Sequence, residues 1–188
     1  MKHLPVFSVS SDDHLVQPEQ FHDIDLQSPA LTIMTDFRSH KPHMVNVDEP
    51  VKTVTERMGV AGIEHQLVVD KQFELVGIIN RERLSVHNLQ LKRIELGLKH
   101  NELTLQDVMI ARKDIQAVEF EMLVGAKISD VISSLREKGQ EYLLVVDQEN
   151  HHIRGVISAK MIAERLHEPL NIHRELTFID IFTAIRAH

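Results

Sequence analysis

The chain has 188 residues, a formal net charge of −7, and neither cysteine nor tryptophan. This length suits one domain or two small associated ones and excludes a large multi-domain enzyme. The lack of cysteine excludes disulfides, thiolate nucleophiles and cysteine-based metal sites. The acidic balance argues against a nucleic-acid partner, because like charges repel a phosphate backbone.

Residues 1–33 are acidic and contain three of the six prolines, Pro5, Pro18 and Pro29. This composition predicts an extended N-terminal arm that packs onto the body of the protein. The arm lacks the apolar run and cleavage site of a signal peptide, and nowhere do eighteen apolar residues follow one another. We therefore expect a cytoplasmic protein that does not cross a membrane.

A first structural unit is predicted over residues 34–100. An extended segment at 44–47 precedes a helix in which Val51, Val54 and Met58 recur at helical spacing. Asp48 is the candidate N-cap of this helix, and Gly59 or Gly62 is expected to end it. Two short strands, 66–70 and 75–80, follow. Further apolar residues at helical spacing between 84 and 101 predict a closing helix that extends into a connector.

A second unit is predicted over residues 101–168 with the same order of elements. Residues 115–118 are extended, and a helix follows whose apolar stripe runs from Ile128 to Leu135 and whose terminal glycine is Gly139. Strands 142–147 and 153–158 come next. The remaining segment, 169–188, is predicted to be helical from about Thr177, with Phe178, Ile181, Phe182 and Ile185 on one face.

The two units are copies of one another. A Val-Val-Asp triplet ends at Asp70 and again at Asp147, 77 positions later, and glycines 77 and 155 follow at a spacing of 78. A nearly constant offset between matching features indicates an internal duplication. The order strand, helix, strand, strand, helix in each copy predicts an α/β protein of the α+β type whose halves pack as a pseudo-twofold pair.

This duplicated pattern resembles a tandem pair of cystathionine beta-synthase (CBS) domains, also called a Bateman module. The resemblance spans roughly residues 30–166, and the lead-ins at 28–36 and 107–109 look like those of stand-alone proteobacterial CBS-pair proteins. It implies a regulatory module that binds AMP, ADP, ATP or S-adenosylmethionine and forms a homodimer. In the family, the adenine lies between strands and is read largely by backbone groups. The motif Gly-hydrophobic-hydrophobic-Thr/Ser-x-x-Asp then holds the ribose or phosphate, as suits a hydroxyl and carboxylate at a helix N-terminus.

The ligand-binding candidates carried over from the resemblance lie near the first strand of each copy and in its motif loop. They are His43, Val45, Ile78, Asn80, Arg81 and Arg83 in the first copy, and Ile115, Ala117, Val156, Ser158, Lys160 and Met161 in the second.

Both copies depart from the family motif. Arg83 and Met161 stand where the family has the ribose-binding aspartate. The loss of a charged hydrogen bond worth about 1.5–3 kcal/mol would weaken a nucleotide appreciably. Arg81, Arg83 and Lys160 could instead contact phosphates, or they could be ordinary solvated side chains. Ser158 is suited both to a ligand and to capping the helix that follows.

Other chemistry is not indicated. The thirteen histidines show no metal-ligand spacing, and no nucleophile elbow, Walker loop or dinucleotide fingerprint occurs. We therefore expect no metal, no resident cofactor and no enzymatic activity. The leading hypothesis is a sensor that binds an adenine nucleotide, preferably in the second copy, and acts on a protein partner. The alternative is a ligand-free interaction or dimerisation module with degenerate clefts.

Overall fold

A computed structural model of the chain describes residues 8–12, 24–99, 102–170 and 172. The elements of the first half are a 3-10 helix (Ala30–Ile33), β1 (Thr35–Asp36), β2 (Met44–Asn46), α1 (Val51–Ala61), β3 (His65–Val69), β4 (Leu75–Asn80) and α2 (Val86–Leu96). The second half contains α3 (Leu105–Val108), β5 (Ile110–Ala111), a 3-10 helix (Arg112–Asp114), β6 (Gln116–Glu119), α4 (Phe120–Val124), α5 (Ile128–Lys138), β7 (Tyr142–Asp147), β8 (His152–Ser158) and α6 (Ala159–Leu166).

The strands form two four-stranded sheets with the orders β2-β3-β4-β5 and β1-β8-β7-β6. In each sheet, one parallel pair (β2 with β3, β6 with β7) adjoins an antiparallel hairpin. Each hairpin has an irregularity at the same place, between Val68 and Val69 and between Val145 and Val146. The predicted α+β duplication is thus confirmed, and the two copies also share the position of the bulge.

The two halves exchange their leading strands. Thr35 of β1 pairs with Val156 of β8, in the sheet of the second half, and Ile110 of β5 pairs with Ile78 of β4, in the sheet of the first half. Each exchanged strand lies against a glycine. A Cβ on Gly155 would come within 2.6 Å of the Thr35 carbonyl oxygen, and one on Gly77 within 2.5 Å of the Ile110 carbonyl oxygen.

The core has three parts, which follow from side-chain alternation along the strands. Ile157 packs towards α5 and α6, and Ile79 packs towards α1. The next side chains along those strands, Ile78 and Val156, face the opposite sheet and join a third cluster between the sheets. Because β4 and β8 are buried on both faces, they appear in the sequence as nearly continuous apolar runs.

Residues 24–33 of the arm pack on the second half, whereas residues 8–12 are exposed. Ala30 and Ile33 are fully buried in the core around α5, and the Ala30 amide donates to the Ala126 carbonyl over 2.9 Å. The Ile128 amide donates in turn to the carbonyl of Ser28. Residues 24–33 therefore cover one end of the second sheet and its helix. The helix predicted within 169–188 lies outside the described residues.

Two local predictions were wrong in detail, and one short helix was not predicted. The N-cap of α1 is Pro50 and makes no side-chain hydrogen bond, whereas Asp48 lies in the preceding turn, where its carboxylate contacts Lys71 at 3.1 Å. The closing helix α2 is shorter than predicted, because Gly97 ends it at a φ of 67°. The helix α4 was not predicted; its Phe120 ring lies 3.4 Å beneath the guanidinium carbon of Arg154.

Candidate functional site

Each motif loop begins with a residue whose side chain accepts a hydrogen bond from the backbone amide three residues further along the chain. Ser158 Oγ accepts from the Met161 amide over 3.5 Å, and Asn80 Oδ1 accepts from the Arg83 amide over 2.9 Å. Both residues are nearly buried, at 4% and 6% exposure. Asn80 therefore takes over in the first half the local role that the hydroxyl has in the second.

The helices that follow start at different distances from these caps. Helix α6 begins at Ala159, directly after Ser158, whereas residues 81–85 form a turn before α2, which is capped by Ser85. The amino end of a helix carries a partial positive charge that falls off within about one turn. Only the second motif loop therefore places a helix amino end immediately beside its strand.

A cavity of about 480 Å³ opens at one edge of the space between the sheets. We call it the open cleft. It is lined by Thr35, Phe37, Ser39, His40, Lys41, Pro42, His43, His65, Leu67 and Val156. Its walls come from both halves, since His43 belongs to the first copy and Val156 to the second. Ser158 lies two residues beyond Val156 along β8 and hence on the same face of the strand.

The pseudo-equivalent position on the other side is occupied by protein side chains, and we call it the closed cleft. Ile115 is 9% exposed and packs with Ile78 and Tyr142 between the sheets. Arg83 Nη1 donates to the Val108 carbonyl over 3.4 Å, while its Nε is buried without a partner in the described part of the chain. Arg112 donates to the Leu75 carbonyl over 3.4 Å.

Two glutamates connect the halves near the motif loops. Glu64 accepts from Lys160 of the second half over 2.5 Å and from Arg81 over 3.2 Å. Glu141, 77 positions later, accepts from Asn80 of the first half over 3.0 Å. The hydrogen bond from Lys160, followed by attraction to Lys160 and Arg81, outweighs burial and lowers the pKa of Glu64. Arg81 and Lys160 are therefore engaged with a protein carboxylate.

Two aromatic rings meet between the open and closed clefts. The rings of His65 and Tyr142 have centroids 5.3 Å apart and are tilted by 58°. Burial lowers the pKa of His65, and repulsion from His43 adds to this effect. Burial likewise raises the pKa of Tyr142 to about 12. Both rings are thus held in their neutral forms at pH 7.

A larger groove of about 940 Å³ lies on the helical side, between α1, the start of α2 and α6. We call it the central groove. Asn80, Arg81, Ser158 and Lys160 all line it. The motif loops of both halves therefore meet at this groove, and of the predicted residues only His43 and Val156 line the open cleft.

The remaining predicted residues are separated from one another. The side chain of Val45 packs beneath α1, away from the open cleft. Ala117 lies on β6, where it pairs with Leu144 of β7 and is exposed. Met161 is half-buried, with its sulfur 4.0 Å from Thr35 Oγ1.

Sequence reasoning missed Thr35, His40, Lys41 and His65 in the open cleft and the two bridging glutamates. Extending the 77-residue offset back from the Val-Val-Asp triplets would have matched Glu64 with Glu141 and His65 with Tyr142.

The described residues contain neither a candidate membrane span nor a candidate metal site. No helix among them is long and apolar enough to cross a membrane. Within the same residues, no group of three or more histidine or acidic side chains is placed to hold a metal ion.

Two strand-helix-strand-strand-helix units with exchanged leading strands and facing sheets define a tandem α+β module. The family model of the CBS domain matches residues 33–86 and 105–168, so the chain belongs to the CBS-domain family and carries the domain twice. Proteins of this family are generally regulatory rather than catalytic. No curated protein sequence matches the chain.

Solved structures share this fold at low sequence identity. An uncharacterised conserved protein from Pyrococcus horikoshii matches with a TM-score of 0.55 and 16% identity, over 79% of this chain and 98% of that one. A hemolysin-like CBS-domain protein of Oenococcus oeni matches with a TM-score of 0.53 and 17% identity, over 75% and 92% of the two chains. CBSX2, solved in complex with AMP, matches with a TM-score of 0.51 and 17% identity, over 73% and 94%.

Proposed function

We propose that this protein is a non-catalytic cytoplasmic regulatory module that binds one adenine nucleotide in the open cleft and passes its occupancy to a protein partner. The observation that carries the proposal is the cavity of about 480 Å³ between the sheets, whose lining includes Val156, two residues before Ser158 on the same face of β8. Its volume falls within the range of about 300–1,000 Å³ that is usual for small-molecule sites. That CBSX2 has been solved with AMP supports this ligand class.

The chemistry of the cleft favours a ligand with an apolar face and an anionic end. Leu67 and Val156 supply buried apolar surface, and Lys41 on the exposed rim supplies positive charge. A planar base can insert between apolar side chains while a phosphate stays near the lysine. AMP, ADP, ATP and S-adenosylmethionine all carry such a base.

Calorimetric titration of the full chain with AMP, ADP, ATP, S-adenosylmethionine and NAD tests the proposal. We expect at least one adenine ligand to bind with a one-to-one stoichiometry, because only one cleft is open. Replacing Ser158 by Ala should weaken that ligand about tenfold or more. The matched control is Ser85→Ala, which also removes a helix cap worth about 1 kcal/mol but lies away from the open cleft. Failure of all five ligands to bind at millimolar concentration would refute the nucleotide site.

A ligand-free interaction module is the second candidate, and the packing of Ile115 against Ile78 and Tyr142 in the closed cleft favours it. If the open cleft is also vestigial, Ser158→Ala and Ser85→Ala should have equal and purely structural effects. A protein partner would then be captured equally well with and without added nucleotide.

We further propose that the module forms a homodimer through α2. The side chains of Leu91 and Ile94 on this helix are 52% and 71% exposed, and no residue of α2 is buried. Burial of such a face against a second copy would remove apolar surface from water. Sedimentation equilibrium of the full chain at micromolar concentration measures the oligomeric state directly.

A further inference from the structure

The central groove has a volume of about 940 Å³ and is partly open to solvent. Its floor and walls include Thr55, Met58 and Gly59 of α1 and Ala163 of α6. A Cβ added to Gly59 would meet nothing within 4 Å, so the helix surface at this point borders open space. The groove therefore has room for an additional element alongside α1.

The chain itself reaches this groove. Helix α6 ends at Leu166, and its C-cap, His167, has a φ of 54° that turns the backbone away from the helix axis. The segment that follows brings Pro169, Leu170 and Ile172 to the wall of the groove, and the last two also pack against the core of the second half. The sixteen residues after Ile172 therefore start from the groove.

The sequence of those residues suits such a place. Phe178, Ile181, Phe182 and Ile185 recur at i, i+3, i+4 and i+7, the spacing of a single apolar helix face. A helix from 177 to 186 would be about 15 Å long, close to the roughly 16 Å of the eleven-residue α1. The intervening residues 173–176 would span up to about 14 Å, enough for a turn into the groove.

We propose that residues 177–186 of the same chain dock as an amphipathic helix in the central groove, with Phe178, Ile181, Phe182 and Ile185 against α1 and α6. This places the docked segment over the surface where both motif loops meet. The argument for docking rests on the groove and on the path of the chain into it rather than on nucleotide binding, although Ser158 lines this groove too.

Disulfide trapping tests the proposal directly, because the chain has no cysteine of its own. The variant Gly59→Cys with Ile181→Cys places one thiol in the groove and one on the apolar face. The control, Thr53→Cys with Ile181→Cys, moves the first thiol to an exposed position on the other side of α1. Under mild oxidation we expect the first pair to form an intramolecular bond at least about tenfold faster than the control.

Two other outcomes would contradict the proposal. A disulfide between two chains would show that the groove holds the segment of a second copy. Equal rates for both pairs would show that the segment does not dock there.

Hydrogen exchange of α1 and α6 in the full chain provides a second test that requires no cysteine. Ile181→Asp should speed exchange of their groove-facing amides about tenfold, whereas Thr183→Asp, on the opposite helical face of the segment, should not. If both or neither of these variants changed the exchange, the proposal would be wrong.

Discussion

The open and closed clefts occupy equivalent positions in a duplicated fold, yet the open cleft has a volume of about 480 Å³, whereas Ile115 and Tyr142 pack together in the closed one. Residues 37–43 link β1 to β2 beside the open cleft, whereas residues 112–115 link β5 to β6 beside the closed one and include a 3-10 helix. The shorter link ends in Ile115, which fills the space between the sheets. A change of three residues in a connection, together with one large side chain, thus separates a cavity from a packed core.

The largest expected effect concerns the leading strands, which wall both clefts. Gly155→Ala should destabilise the protein by about 1–3 kcal/mol, because the new methyl group would press on the Thr35 carbonyl of β1. Thermal unfolding measures the change. If the two clefts are built in the same way, Gly77→Ala should destabilise the protein by a similar amount, because its methyl group would press on the Ile110 carbonyl of β5.

Gly59→Ala is the matched control for both substitutions, since its Cβ meets nothing and alanine favours a helix by about 1 kcal/mol. A neutral Gly155→Ala would mean that β1 is not docked as described.

The next-largest effect is expected when the missing carboxylate is restored, because nucleotide affinity should then respond differently beside the two clefts. Met161→Asp places an acid three residues after Ser158, beside the open cleft, where it could accept hydrogen bonds from ribose hydroxyls. We expect nucleotide affinity to rise about 10- to 100-fold, the value of one charged hydrogen bond.

Arg83→Asp is the corresponding change beside the closed cleft, and it should create no second site because Ile115 fills the space. Calorimetric stoichiometry reads out the result. A second equivalent of nucleotide bound by Arg83→Asp would contradict the distinction between the clefts.

The smallest expected effect is a pH dependence of folding stability that is due to His65, which lies between the two clefts. Burial keeps His65 neutral in the folded state, whereas in the unfolded chain it binds a proton near its ordinary pKa of about 6.5. Stability should therefore fall as pH drops below about 6.5, because the unfolded state then binds the additional proton.

Urea unfolding between pH 5 and 7 measures this slope. His65→Phe, which keeps a ring against Tyr142, should flatten it, whereas His87→Ala on the exposed side of α2 should leave it unchanged. An unchanged slope in His65→Phe would assign the pH dependence to other groups.

Much of the fold could be predicted from the sequence because the duplication repeats every local signal. Gly139 ends α5, and Gly62 ends α1, each with a positive φ. The exchange of leading strands could not be predicted, because β1 and β5 are two residues each and no local pattern says which sheet they join.

For the same reason, the sequence identified residues near the candidate site but not how they combine. His43 and Val156 meet only because β1 crosses to the other sheet and carries the loop 37–43 with it. Arg81 and Lys160 looked free to contact phosphate, yet both bind Glu64, a partner that only the pairing of the two halves brings close.

The exchange of leading strands also has a consequence for biosynthesis. Thr35 leaves the ribosome 121 residues before its partner Val156, an interval of roughly 6–24 s at ordinary rates of translation. During this interval β1 has no strand to pair with, and a chain released after the first CBS domain would also lack β5 at the edge of β4. The first sheet lacks its edge strand until Ala111 is made and the second lacks β8 until Ser158 is made, so the tandem pair should reach its complete native structure only late in synthesis.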